Sequence, residues 1–338
     1  MPDRSSLIEK FLDKVSWGGA NRLPLKSDAS FRKYERIKLP NKNALLMDAI
    51  DDKKSIAPFL SVTQHLRSFG YSAPKIFAYD QSIGLVLLED LGERTFTQIL
   101  KLGNNEKDLY QCATDFLIDM HDRAQGIISP DWMGVYSKDK LFEEVLLLAE
   151  WFLPSILGKS ELRPAIDNFM ELWKDLLPKC LTLPNTLVLR DFHADNLFWL
   201  KERGGVKACG VIDYQDALNG PPAYDLMSLL EDARRDLSPG LQDEMVDRYL
   251  LAFPKMDKAE FRETFSMLAA QRHCKVLGIF SRLSIRDSKH GYLGHLPRVL
   301  RLLNNVSIVS SLSTLREWLE HYKIIENGTE LNNYDRHV

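Results

Sequence analysis

Two carboxylates and one amide stand within 23 residues of one another, each beside a short apolar run. Asp191 follows the apolar residues 187–189, Asn196 lies five positions later, and Asp213 ends the apolar stretch 206–212. Phosphoryl transfer needs one carboxylate that orients or deprotonates the attacking hydroxyl, together with oxygen ligands that hold Mg²⁺ on nucleotide phosphates. The segment therefore contains the residue types that this chemistry requires.

Each polar residue of this segment also has a simpler explanation. An isolated Asp often caps a loop, and Asp195 and Asp216 fit closed Asx-turns better than catalysis. His193 could contact a substrate or form a hydrogen bond within its own loop. A zinc site is disfavoured because no second His lies near His193 at ligand spacing. Catalysis is favoured for Asp191 because Asn196 and Asp213 accompany it.

The elements that must position these side chains can be predicted from hydrophobic periodicity. Residues 5–15 and 55–69 have the apolar spacing of helices, and Gly70 can end the second one. Between them, residues 21–50 favour three antiparallel strands, and two further strands are expected at 75–79 and 84–88. The sequence thus predicts a small sheet with an inserted helix.

Beyond Gly92 the pattern is mostly helical, with one strand-rich interruption. Short strands are expected at 186–189, 197–201 and 206–212. Long helical stretches include 258–283 and 296–323. The predicted fold class is α+β, with a small antiparallel-sheet lobe at 1–90 and a large, mostly helical lobe at 91–338.

Composition limits the classes of protein to which the chain can belong. It has 338 residues, 45% of them hydrophobic, and 44 Lys+Arg against 47 Asp+Glu give a formal net charge of −3. These values are typical of a globular protein and argue against a disordered chain, a fibre or a membrane bundle. They also argue against partners such as nucleic acid or anionic membranes. The N-terminus lacks an apolar secretory core, and we expect a cytoplasmic protein.

The polar segment resembles a known family. Arg190-Asp-Phe-His-Ala-Asp-Asn196 and Val211-Ile-Asp213 are similar to motifs of the aminoglycoside phosphotransferase and kinase-like superfamily, and Asp191 and Asn196 have the Asp-x-x-x-x-Asn spacing of a kinase catalytic loop. Further stretches, including Leu87-Leu-Glu-Asp-Leu-Gly92 and Pro222-Ala-Tyr-Asp-Leu226, resemble bacterial anomeric sugar kinases that act on N-acetylmuramate and N-acetylglucosamine. The resemblance covers about residues 27 to 298.

The resemblance implies a bilobal protein-kinase-like fold and ATP-dependent transfer of a phosphoryl group to the C1 hydroxyl of an amino sugar during cell-wall recycling. Asp191 would be the catalytic base or the group that orients the hydroxyl. Asn196 and Asp213 would bind Mg²⁺. Asp225 would support the catalytic loop by accepting hydrogen bonds.

The resemblance also implies a nucleotide site in residues 1–90 and their connection to the second lobe, and it assigns the catalytic loop and the acceptor site to residues 91–338. Glu89 to Leu91 would meet the adenine through backbone atoms, which would leave the Glu89 side chain free to be exposed and dispensable. Residues 27–34 would lie over the phosphates in place of a glycine-rich loop, with Ser30 and Arg32 as the candidate contacts. For Arg32 the alternative is a solvated strand residue.

Three features depart from the general kinase pattern. Leu189 stands where a His is common, no Gly-x-Gly-x-x-Gly is present, and the strand at 45–48 lacks the usual phosphate-binding Lys. The helix after this strand has no Glu to pair with such a Lys. Arg32, or less favourably Lys33, could supply the missing positive charge.

The substrate contacts are less specific. Basic residues are frequent between 272 and 301, and such a run usually forms a solvated helix face. Alternatively, one or two arginines hold the lactyl carboxylate of N-acetylmuramate, since arginine binds carboxylates in a bidentate manner, and the candidates are Arg234, Arg235 and Arg298. His193 is a further candidate for a substrate contact.

Two other functions remain open at the level of the sequence. The same chemistry could act on another small hydroxyl acceptor, such as an aminoglycoside or choline. The missing Lys–Glu pair would also fit a nucleotide-binding pseudokinase with a regulatory role.

Overall fold

The computed structural model describes residues 3–25, 32–103, 105–124, 130 and 132–334. The chain divides into two compact units. Unit 1 comprises residues 1–116 and 194–217, and unit 2 comprises residues 117–193 and 218–338. The assignment of nucleotide binding to 1–90 and of the acceptor site to 91–338 stays a prediction.

The strands form one larger sheet and two short pairs. They are β1 (Asn21–Pro24), β2 (Lys33–Leu39), β3 (Lys42–Asp48), β4 (Ile76–Asp80), β5 (Leu85–Leu88), β6 (Thr186–Val188), β7 (Leu197–Trp199), β8 (Cys209–Val211) and β9 (Leu218–Gly220). Strands β1 to β5 form an antiparallel sheet in the order β1-β2-β3-β5-β4. The sheet predicted for the first lobe is confirmed.

Helices make up most of the remaining chain. They are α1 (Arg4–Lys14), α2 (Ile56–Ser68), α3 (Phe96–Lys101), α4 (Glu106–Ala124), α5 (Lys138–Leu147), α6 (Leu153–Ile156), α7 (Lys159–Leu176), α8 (Ala223–Leu230), α9 (Leu241–Ala252), α10 (Lys258–Asp287), α11 (Leu296–Val306), α12 (Ser313–His321) and α13 (Ile324–Tyr334). A π-helical turn at Leu148–Phe152 joins α5 to α6. Among the described residues, no helix has the length and apolarity needed to cross a bilayer.

One hydrophobic cluster of unit 1 lies between α1 and the sheet. The Asp3 side chain caps α1 by accepting a hydrogen bond from the Ser6 backbone amide at 2.8 Å. Ile8, Phe11 and Leu12, at helical spacing, are buried in one cluster with sheet residues such as Leu46. This burial holds the sheet against its first helix.

The hairpin of β7 and β8 also belongs to unit 1. Its strands pair antiparallel, with Leu197 opposite Val211. The hairpin is joined to the chain after α2, because the Val211 amide donates to the Ser72 carbonyl at 3.1 Å. The hairpin therefore has a fixed base from which polar side chains can project.

Unit 2 is built around α10, a helix of 30 residues whose inner turns are almost entirely buried. Gly278 lies at its crossing with the end of α5. A Cβ at this position would come within 2.2 Å of the Leu147 carbonyl carbon, so only glycine allows the two helices to approach this closely. In the same unit, β6 pairs with β9, a strand that the sequence pattern did not indicate.

Candidate functional site

The two candidate metal ligands are neighbours in the β7–β8 hairpin. The Ile212 amide donates to the Asn196 carbonyl at 3.1 Å, which places Asn196 across the hairpin from Ile212 and beside Asp213. The hydrogen-bond register thus brings together two residues that are 17 positions apart in sequence.

Asp213 stands in a left-handed backbone conformation with φ of 61°, which non-glycine residues rarely adopt. The following residue holds this turn, because the Tyr214 ring stacks on Phe59 and its hydroxyl is 2.8 Å from the Thr63 hydroxyl. The Asp213 carboxylate is 46% exposed and accepts a hydrogen bond from the Gln215 amide at 3.2 Å. It is therefore fixed and also accessible.

This donor set fits Mg²⁺. An amide oxygen and a carboxylate are hard ligands, and Mg²⁺ usually takes only one or two carboxylates and completes its shell with water and phosphates. In the ranges that the structure describes, no three His, Cys, Asp or Glu side chains form a closed metal cage. Asn196 and Asp213 would hold the ion on the nucleotide side.

Arg32 lies beside Asp213 and is largely buried. Its guanidinium is 3.9 Å from the Asp213 carboxylate and 3.6 Å from Asp52, and it donates to the Gln215 side-chain oxygen at 2.9 Å. A solvated strand residue is therefore the wrong description of Arg32. Its role as a phosphate contact stays a prediction, and Ser30 lies outside the described residues.

The end of β3 carries an acid where kinases commonly carry a lysine. Asp48 is buried and forms a two-pronged ion pair with Arg4, whose Nε lies 2.8 Å from the carboxylate. Arg4 of α1 thus neutralises the charge of Asp48 at the end of β3. Within unit 1, Arg32 thus remains the candidate cation for the phosphates.

The segment after β5 is held by side chains. Glu89 accepts hydrogen bonds from the Lys75 amide at 2.9 Å and from Arg203 at 2.6 Å. Its carboxylate is 25% exposed and is held by both contacts, so the Glu89 side chain is half-buried and has a structural role. The next residue, Asp90, pairs with Arg36 at 2.6 Å and accepts from the Gly92 amide. These contacts fix the backbone on both sides of Leu91, whose part in nucleotide binding stays a prediction.

In unit 2 the candidate base Asp191 follows a residue that is held unusually firmly. Arg190 has φ of 72°, a left-handed conformation that costs a non-glycine residue roughly 1–2 kcal/mol. Asp225 stabilises this turn, because its two oxygens accept hydrogen bonds from the Leu189 amide at 2.6 Å and the Arg190 amide at 2.9 Å. The geometry agrees with the predicted structural role of Asp225.

Asp191 stays ionised because of its cationic neighbours. Burial alone raises the pKa of a carboxyl group, but Arg272 and Lys275, with smaller contributions from His193 and Arg190, hold the pKa of Asp191 below its usual value. The Arg272 guanidinium lies 4.0 Å from Asp191 Oδ1. At neutral pH, Asp191 is therefore able to accept a proton or a hydrogen bond from a hydroxyl group.

His193 and Arg234 share one electrostatic environment in unit 2. His193 is buried, and burial lowers its pKa, while the carboxylates of Asp232 and Asp191 act in the opposite direction. Arg234 is among the cations that lower the pKa of His193, and its guanidinium carbon lies 5.9 Å from the centre of the Phe280 ring. Asp232, Arg234 and the candidate base Asp191 thus all act electrostatically on His193.

Arg298 is engaged differently. It forms a bidentate ion pair with Asp236, with contacts of 3.2 and 3.1 Å, and Arg301 shares the same carboxylate at 2.5 Å. Two cations on one carboxylate make a surface cluster on α11. Because Arg298 already binds the Asp236 carboxylate, we keep Arg234 as the candidate for the substrate carboxylate, and that contact stays a prediction.

Sequence reasoning missed several residues around Asp191. Glu144, Arg190, Arg272 and Lys275 form the charged surroundings of the loop, and α5 and α10 supply three of them. In the sequence, Arg272 and Lys275 stand out only as members of the basic run between 272 and 301. A buried carboxylate on an otherwise apolar helix face, as at Glu144, was the available signal.

Asp225 gives a first prediction about stability. Burial raises its pKa to about 7, so between about pH 4 and 7 the folded protein holds a proton that the unfolded chain releases. The free energy of unfolding should therefore fall as pH rises through this window. In Asp225→Asn this pH dependence should be lost, because the amide does not titrate there.

At pH 8, Asp225→Asn should also cost about 1–3 kcal/mol, because an amide NH₂ would face a buried backbone NH. Urea unfolding of both proteins from pH 4 to 8 measures the two effects. Parallel stability curves for the two proteins would contradict this prediction.

Comparisons with known proteins identify the family of this chain. A model described as the phosphotransferase enzyme family matches residues 22–261. An N-acetylmuramate/N-acetylglucosamine kinase from Caulobacter vibrioides is 30% identical over 358 residues, which cover 96% of this chain and 98% of that protein. A protein of the same name from Neisseria meningitidis is 34% identical over 296 residues, covering 83% and 84% of the two chains.

Solved structures with the same fold include kinases of several small molecules. The ADP-bound aminoglycoside phosphotransferase APH(2'')-Ib matches with a TM-score of 0.59 and 18% identity, covering 90% of this chain and 99% of the other. The choline kinase LicA from Streptococcus pneumoniae matches with a TM-score of 0.61 and 12% identity over the same shares. These likenesses establish the protein-kinase-like fold. The family match over residues 22–261, together with the relatives of 30% and 34% identity, shows that the chain belongs to the phosphotransferase enzyme family.

Proposed function

We propose that this protein is an ATP- and Mg²⁺-dependent kinase that transfers the γ-phosphoryl group to the C1 hydroxyl of N-acetylmuramate or N-acetylglucosamine. The observation that carries the proposal is the ionised Asp191 after the firmly held Arg190. The backbone hydrogen bond from Ile212 to Asn196, one residue before Asp213, supports it on the nucleotide side. Two relatives that match most of the chain are named N-acetylmuramate/N-acetylglucosamine kinase, and these names support the choice of acceptor.

Asp191 would act on the proton of the acceptor hydroxyl. An anomeric hydroxyl is more acidic than an ordinary alcohol, since the ring oxygen withdraws electron density. One carboxylate oxygen that accepts its hydrogen bond therefore suffices to direct the hydroxyl oxygen toward the γ-phosphorus. Most of the rate would come from positioning and from neutralising charge.

The nucleotide side would depend on Asn196, Asp213 and Arg32. Bound Mg²⁺ would supply charge neutralisation on the phosphate oxygens. Arg32, 3.9 Å from Asp213, adds a positive charge that does not depend on the ion. The backbone of residues 89–91 would bind the adenine. Side-chain contacts at Glu89 and Asp90 would keep that backbone in place for it.

Product analysis tests the proposal directly. The protein is incubated with Mg²⁺, ATP and each of N-acetylmuramate, N-acetylglucosamine, choline and an aminoglycoside, and phosphorus NMR identifies the product. We expect a sugar 1-phosphate together with ADP. Phosphorylation of only choline or the aminoglycoside would change the acceptor, and tight ATP binding without turnover on any acceptor would refute the proposal.

Arg234 is expected to decide between the two sugars. N-acetylmuramate carries a lactyl carboxylate that N-acetylglucosamine lacks, and a charge-assisted bond to arginine is worth about 1.5–3 kcal/mol. Arg234→Gln should lower kcat/KM for N-acetylmuramate about 10- to 100-fold and leave that for N-acetylglucosamine within about threefold.

Arg301→Gln is the matched control for Arg234→Gln, because Arg301 belongs to the surface cluster with Asp236. Initial rates with both sugars give the ratio of the two kcat/KM values. An equal loss on both sugars in Arg234→Gln would show that Arg234 does not recognise the carboxylate.

A further inference from the structure

The Glu144 carboxylate on α5 is buried and receives four donors. Its Oε1 accepts from the Arg190 guanidinium and lies 3.0 Å from the Lys275 ammonium. Its Oε2 accepts from the Tyr136 hydroxyl at 2.5 Å and from the Gln271 amide at 3.2 Å. A carboxylate has about four acceptor positions, so this group is saturated and has a single orientation.

Arg190 precedes the candidate base, and its amide, its carbonyl and its guanidinium each have a hydrogen-bond partner. Its amide donates to Asp225, its carbonyl accepts from Arg272 at 3.1 Å, and its guanidinium is bound by Glu144. The guanidinium also lies 5.3 Å from the centre of the Tyr136 ring. These contacts maintain a left-handed backbone that an L-residue does not favour, and that backbone determines where Asp191 points.

Glu144 also determines how positive charge is distributed around Asp191. Lys275 and Arg272 lie one turn apart on α10, the first facing Glu144 and the second 4.0 Å from Asp191. Without the Glu144 charge, Lys275 and Arg190 would have Asp191 as a nearby alternative partner. An ion pair of that kind would take the carboxylate oxygen away from the acceptor hydroxyl.

We infer that Glu144 is a positioning residue for phosphoryl transfer, which fixes Arg190 and keeps two cations from pairing with Asp191. The inference rests on the proposed role of Asp191 in the reaction. Glu144 acts through Arg190 and Lys275, so its effect falls on the rate of the chemical step rather than on nucleotide binding.

The first test replaces Glu144 by a residue of the same shape without the charge. Glu144→Gln should lower kcat about 10- to 100-fold, the effect of a misplaced reacting group. KM for ATP should stay within about twofold, since the substitution does not change the contacts that bind ATP. The control is Glu143→Gln on the same helix, whose side chain is 69% exposed and pairs with Lys140 at 3.5 Å. Its kcat should match that of the unaltered protein.

The second test removes the anchored side chain and relieves the backbone. Arg190→Gly should fold well, because glycine adopts a φ of 72° without strain. Relief of the backbone strain should offset part of the stability lost with the Glu144 ion pair, and Lys275 still neutralises Glu144, so the melting temperature should fall by only a few degrees. The kcat should fall about tenfold because Asp191 is less well positioned. A purely structural role would predict that activity follows stability. The double variant should lose little more than Glu144→Gln alone, because both changes break the same contact.

The outcomes separate this inference from the proposed function. Full kcat in both Glu144→Gln and Arg190→Gly, together with an inactive Asp191→Asn, would overturn the inference alone. An active Asp191→Asn would overturn the proposed role of Asp191, and this inference with it. If Glu144→Gln fails to fold, the kcat of Arg190→Gly decides, and an unaltered value refutes the inference.

Discussion

Asp191→Asn is expected to bind ATP normally and to phosphorylate the sugar about a thousandfold more slowly, which is within the usual range for loss of a general base. Asparagine keeps the size of the side chain but cannot take the proton, and its NH₂ cannot accept the hydrogen bond of the acceptor hydroxyl. The neighbouring cations Arg272 and Lys275 remain in place, so the loss reports on the missing carboxylate.

Initial rates at saturating ATP and sugar measure this loss, and titration with a non-hydrolysable ATP analogue measures binding. Asp195→Asn is the matched control, because Asp195 lies in the same loop and accepts a hydrogen bond from the Thr97 hydroxyl at 2.5 Å, which asparagine can also accept. Its kcat should fall less than about fivefold, the effect of a perturbed hydrogen bond. Comparable losses in both variants would mean that the loop, and not the Asp191 carboxylate, is responsible.

Asp213→Asn is expected to lower kcat about a hundredfold and to raise the Mg²⁺ concentration needed for half-maximal rate about tenfold or more. An amide is a weaker ligand than a carboxylate, and the change removes one of the two carboxylates that lie 3.6 and 3.9 Å from the Arg32 guanidinium. Rates are measured over a range of free Mg²⁺ at fixed ATP. Part of the lost rate should return at high Mg²⁺, because the ion can still bind through Asn196 and the phosphates.

Asp216→Asn provides the control for this experiment. It makes the same change of charge three residues away, at another exposed position of the same turn. Its Mg²⁺ dependence should match that of the unaltered protein. An Asp213→Asn protein with unchanged Mg²⁺ dependence would remove Asp213 from the metal site.

The contacts within unit 2 also change how the departures from the kinase pattern are interpreted. Leu189 stands where a His is common, and its amide donates to Asp225. Arg190 carries a side chain in a left-handed turn, and the Glu144 carboxylate holds it. A chain with these supports around Asp191 is better explained as an active enzyme than as a pseudokinase.

Local patterns were sufficient for much of the fold. The strands and helices of the first 88 residues follow from alternation and helical spacing within windows of about a dozen residues. The set of Asp191, Asn196 and Asp213 was also readable, because its members occupy one loop and the strand after it. In such segments the chemistry and the elements that position it are close together in sequence.

The sequence pattern was less accurate where helices end. The expected helix at 296–323 is divided into α11 and α12, with a 3₁₀ turn at Ser310–Leu312 between them. Both halves have an apolar face, so periodicity alone did not reveal the break. The strand β9 was missed because three residues carry too little pattern, and its pairing with β6 depends on tertiary contacts.

By itself, the sequence determined the fold class, the strand-rich first lobe and the three residues proposed to carry phosphoryl transfer. The resemblance implied that Asp225 supports the catalytic loop, and the tertiary structure identified the Leu189 and Arg190 amides as its donors. Only the tertiary structure showed that Glu144 reaches Arg190 across 46 residues and Lys275 on α10. The physical reason is that a buried charge needs a partner, and close packing of helices such as α5 and α10, rather than spacing along the chain, determines which partner it finds.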